Sequence, residues 1–104
     1  MRLASADYAL KALIETERAI WRAGEAPRPV AAYEVRDRSG LDDRAVRAAL
    51  YRLVDGGYAL KVWPKMRKRR TDGYRPRALG YQSTESGRNA LIAFRAELRA
   101  FLRS

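Results

Sequence analysis

The chain has 104 residues, with 22 lysines and arginines against 12 acids and a formal charge of +10 at neutral pH. It has neither cysteine nor histidine, which excludes disulfides, thiol redox sensing, Cys/His zinc sites and histidine acid–base catalysis. This length supports one small domain with a modest core, and the charge points to a polyanionic partner.

Ser5 is expected to cap a first helix running to Ala23 and ended by Gly24. Leu10, Leu13, Ile14, Ile20 and Trp21 form its expected buried side, interrupted by Glu17. Residues 25–29, Glu-Ala-Pro-Arg-Pro, read as a short extended linker.

Residues 30–55 read as a helix-turn-helix. A short helix is expected from Val30 to Arg38, and Ser39-Gly40-Leu41 is the tight turn, with Gly40 supplying a left-handed conformation. Asp42 then caps a second helix, in which Val46, Ala49, Leu50 and Leu53 repeat at the spacing of a one-sided buried stripe. Its opposite stripe carries Arg44, Arg47, Ala48 and Tyr51, with Arg52 beside it. Arginine-rich faces are often only solvated. Here the cations occupy the first turns and middle of the helix, where a recognition helix meets base edges and Arg can bond guanine bidentately. Asp42 and Asp43 are explained by the helix dipole.

Asp55-Gly56-Gly57 breaks the helical period, and residues 58–83 read as a wing. Tyr58 to Trp63 alternates as a strand with Tyr58, Leu60 and Val62 on one side, and Leu79, Tyr81 and Ser83 form a second alternating run. Between them lie Lys65, Arg67, Lys68, Arg69, Arg70, Arg75 and Arg77 against Asp72 alone, seven cations and one acid, a net +6 of the chain's +10. Asp72-Gly73 is a turn signal, and Pro64 and Pro76 limit pairing near the base. Such a wing is expected to follow phosphates or enter a minor groove. No amphipathic or long apolar run accompanies the charge, so a membrane is not an expected partner.

Thr84 is expected to cap a C-terminal helix over 84–103, in which Leu91, Phe94, Leu98 and Phe101 repeat at spacings of three and four with Leu102 alongside. A small core has little room for all of these, so they and Leu10 are the expected interface of a two-fold dimer; packing within a monomer is the alternative. The acids are scattered singly, so neither an enzyme nor a cofactor is expected. No signal peptide or membrane span is read, and the expected location is the cytoplasm, with the nucleoid.

The run VAAYEVRDRSGLDDRAVRAALYRLVDGGYAL followed by LGYQSTESGRNAL resembles the winged helix-turn-helix of PadR-type transcriptional regulators, with the MarR-like group next nearest. The resemblance spans roughly residues 5 to 103, and its most specific pieces are Tyr33-Glu34-Val35 before Ser39-Gly40-Leu41, the Ala49-Leu50 to Leu53 core, and Tyr81-Gln82-Ser83-Thr84 with Gly87-Arg88 and Leu91. It departs from the family at Arg47-Ala48, where a Tyr-Pro pair is common, and at Arg36, where a small residue is usual. The resemblance implies a mainly α fold with a small β hairpin and a dimeric repressor. Arg44, Arg47 and Tyr51 would enter the major groove of double-stranded DNA, and the basic hairpin would lie on the backbone. It also raises a small-molecule effector lodged among Trp21, Trp63 and Tyr8, although aromatics at such spacings are more often core. Other readings are a DNA-bending or recombination accessory protein of a mobile element, a winged-helix RNA-binding protein, and a protein-interaction winged helix.

Overall fold

A computed structural model describes residues 5–64 and 78–103. The chain is mainly helical, with a small antiparallel hairpin, an arrangement compatible with a winged helix. Its elements are α1 (Ser5–Arg22), α2 (Ala32–Ser39), α3 (Asp43–Asp55), β1 (Ala59–Val62), β2 (Gly80–Ser83) and α4 (Glu85–Arg103). The strands pair from Ala59 with Ser83 to Val62 with Gly80. The seven cations between Lys65 and Arg77 lie outside the described residues.

The core forms where α1, α2 and α3 converge. Leu10, Leu13, Ile14, Val35, Val46 and Leu50 are almost wholly removed from water, and such burial is the main driving force for assembling short helices. Val30 joins this core through an isolated antiparallel β-bridge to Tyr81 rather than as part of a helix. Its N–H donates to the Tyr81 carbonyl at 2.9 Å and its carbonyl accepts from the Tyr81 N–H at 2.8 Å. The helix begins only after Ala31, whose backbone is extended (φ −72°, ψ 153°) and whose N–H donates to the Glu34 carboxylate at 3.1 Å.

Trp21 does not share the buried side of α1: it is 76% exposed, whereas Ile20 beside it is buried. The reason is where α4 lies. It covers the first half of α1, with Phe94 edge-on to Tyr8 at 5.5 Å between ring centroids, and a Cβ on Gly87 would touch Leu10. The last turn of α1 lacks that cover.

Tyr58, Leu60 and Val62 share one side of their strand, but the core takes the other side through fully buried Ala59, leaving Leu60 exposed. Thr84 then fixes the start of α4. Its hydroxyl accepts from the Gly87 N–H at 3.1 Å and donates to the Gly57 carbonyl at 2.7 Å, so one side chain caps α4 and ties it to the turn after α3.

Candidate nucleic-acid interface

The candidate surface is built from the turn between α2 and α3. Gly40 adopts φ 75° and ψ 5°, and its N–H donates to the Arg36 carbonyl, the left-handed ending that glycine adopts without a Cβ penalty. Asp42 follows in an extended conformation and its carboxylate accepts from the Ala45 N–H at 2.8 Å. These caps set the direction in which α3 leaves the turn.

Burial of Val46, Ala49, Leu50 and Leu53 then fixes the rotation of α3 about its axis. With that side inward, Arg44, Arg47, Ala48, Tyr51 and Arg52 all face solvent, and Tyr51 is 74% exposed. The expected stripe is therefore present on one surface. Arg44, Arg47 and Arg52 have no ion-pair partner among the described residues.

Other arginines are neutralised locally. Arg28 donates both Nη groups to Glu34, at 2.7 and 2.9 Å. That hydrogen-bonded pair holds the Glu34 carboxyl below the usual glutamate range, against a smaller opposing effect of burial. Arg36 reaches from α2 to the head of α3, with Nη1 2.8 Å from the Asp43 carboxylate and Nε 3.1 Å from Asp37. The Asp43 and Asp37 hydrogen bonds raise the already high pKa of Arg36. Sequence reading had no means of finding the Arg36–Asp43 pair, because its two ends belong to different helices and meet only through the turn.

Just past the Val62–Gly80 end of the strand pair, Lys61 places its ammonium 4.9 Å from the centre of the Trp63 ring. Trp63 and Leu79 are both about half exposed there. The three aromatics considered for an effector pocket do not converge. Tyr8 packs on Phe94, Trp63 stands on the hairpin, and Trp21 lines an open groove with Ile14, Glu17, Arg18, Ser83 and Arg88 to which neither of the others contributes.

The expected dimer residues divide into two sets. Leu10, Leu91 and Phe94 belong to the chain's own core, so they offer no surface to a second copy; the packing of α4 on α1 consumes them. Leu98 is partly buried against the same cluster, while Phe101 and Leu102 are exposed, as is Ile92.

Among the described residues no helix is long and apolar enough to cross a membrane. No protein-family model matches the chain, and neither the curated proteins nor the solved structures contain a match to it.

Proposed function

We propose that this protein is a sequence-selective regulator that binds double-stranded DNA, a repressor of the PadR-like winged helix-turn-helix type acting by occupancy in the cytoplasm. The observation that carries the reading is the outer side of α3. It shows three guanidinium groups without acidic partners among the described residues and one exposed phenol, held in register by a buried opposite side. In a major groove, Arg44 and Arg47 would each contribute about 1 to 3 kcal/mol of base discrimination. The cations of residues 65–77 would add salt-dependent affinity. A homodimer joined through the exposed end of α4 would present two recognition helices to half-sites about one helical turn apart.

The test is fluorescence anisotropy with the duplex upstream of the protein's own coding sequence, at two salt concentrations, with scrambled duplex and matched RNA as competitors. Selective binding that Arg47→Ala flattens is the expected result. Preferential displacement by RNA would reject it.

A second reading, DNA bending, is favoured by one observation. Trp63 and Leu79 are large, exposed apolar groups beside the Val62–Gly80 end of the strand pair, the chemistry of wedges that unstack base steps. Bending of bound duplex, measured by energy transfer between labelled ends, separates it from simple occupancy.

A further inference from the structure

The head of α3 carries an acid where the proposed partner is a polyanion. Asp43 is the first residue of the helix and its side chain is 66% exposed. It stands one turn before Arg47, so the two share a side of the helix. A bare carboxylate at that place would repel phosphate. Arg36 counters it at 2.8 Å through Oδ1, offsetting part of the charge and favouring one orientation of the side chain. The other oxygen, Oδ2, receives no hydrogen bond among the described residues. An ionised carboxylate only accepts hydrogen bonds. On a base edge it therefore selects an exocyclic amine, and the cytosine N4 amine is its usual partner.

We propose that Asp43, oriented by Arg36, is a base-reading residue that selects cytosine in each half-site. Arg36 is the positioning residue: it supplies no base contact and acts through the carboxylate it holds. This inference rests on the DNA-binding reading above and adds to it a residue whose charge alone argues against a DNA contact.

The experiment is selection of bound duplexes from a randomised pool by the intact protein, followed by affinity measurement on the recovered sequences. Melting curves for every variant confirm folding. Wild type should recover a position occupied by cytosine, with a loss of roughly five- to 150-fold on changing that base. Asp43→Ala should erase the preference there while raising affinity for unrelated duplex, since a negative charge leaves the interface. Asp43→Asn, nearly the same shape, should move the preference from cytosine to adenine, because a carboxamide both donates and accepts as adenine requires. Arg36→Met should weaken binding to all duplexes and blur the cytosine preference, and Arg36→Lys should restore part of both. If wild type selects a sequence and Asp43→Asn recovers the same one, Asp43 is only a strut between helices and the inference is overturned while the DNA-binding reading stands. If wild type binds no duplex, both are overturned.

Discussion

Glu17 and Ser83, 66 positions apart, are joined by two hydrogen bonds: Ser83 donates its backbone N–H at 3.0 Å and its hydroxyl at 2.5 Å to the one carboxylate. The acid that interrupts the apolar stripe of α1 is thus the fastening between that helix and β2. Arg88 adds a contact to the Ser83 hydroxyl at 3.3 Å.

Glu17→Ala removes both acceptors and leaves a partly buried N–H without a partner. The expected loss is about 1–3 kcal/mol of folding stability, measured by urea denaturation. Glu17→Gln keeps one acceptor oxygen and should recover part of that loss. A shift for Glu17→Ala below about 0.5 kcal/mol, the range of ordinary surface changes, would show that the fastening contributes little.

Gly87 sits inside α4, where helix propensity alone would make Gly87→Ala stabilising by about 1 kcal/mol. Packing reverses the sign. A Cβ at this position would collide with the Tyr58 carbonyl oxygen, a backbone atom that cannot turn aside, so overpacking should cost about 1–3 kcal/mol. Ser86→Ala, on the exposed side of the same turn, is the control and should be close to neutral. Thermal melting of the two variants compares propensity with packing directly.

The Arg28–Glu34 pair predicts a limb of acid sensitivity. Arg28 lowers the Glu34 pKa from its ordinary value of 4.5, so the folded state binds that proton less readily than the unfolded chain does. Its contribution is therefore fully present above the ordinary value and is lost as pH falls through the lower folded one. Glu34→Gln should flatten stability against pH below about 4.5 and leave its slope near neutrality unchanged. Denaturation midpoints of both proteins from pH 3 to 7 give the comparison, and parallel curves throughout would refute the linkage.

For assembly, Phe101→Glu with Leu102→Glu should yield a monomer by light scattering at micromolar concentration that still unfolds cooperatively, since neither side chain belongs to the buried core. Leu91→Glu should instead unfold the chain, because Leu91 is 1% exposed and a buried unpaired charge is strongly destabilising. A wild type already monomeric at that concentration would remove the dimer from the proposal.

Much of the fold was legible in the sequence. The inward residues of α3, the Asp42 and Thr84 caps and the Gly40 turn all follow from patterns within one or two helical turns. Arg44, Arg47 and Tyr51 face solvent for the same reason: once four neighbours point inward, a rigid helix leaves them no other direction. The dimer set was only partly legible, since periodicity marks an apolar side without saying which element covers it.

What the sequence by itself determined is therefore local: which stretches are helical, where they start and stop, and which side of each is apolar. The tertiary structure alone decided that Val30 forms an isolated β-bridge with Tyr81, that Trp21 stands in solvent, that α1 consumes Leu91 and Phe94, and that Arg36 meets Asp43 across a turn. The physical reason is range. Capping and periodicity depend on neighbours a few residues away, whereas coverage, collision and ion pairing depend on which distant segments arrive at the same place.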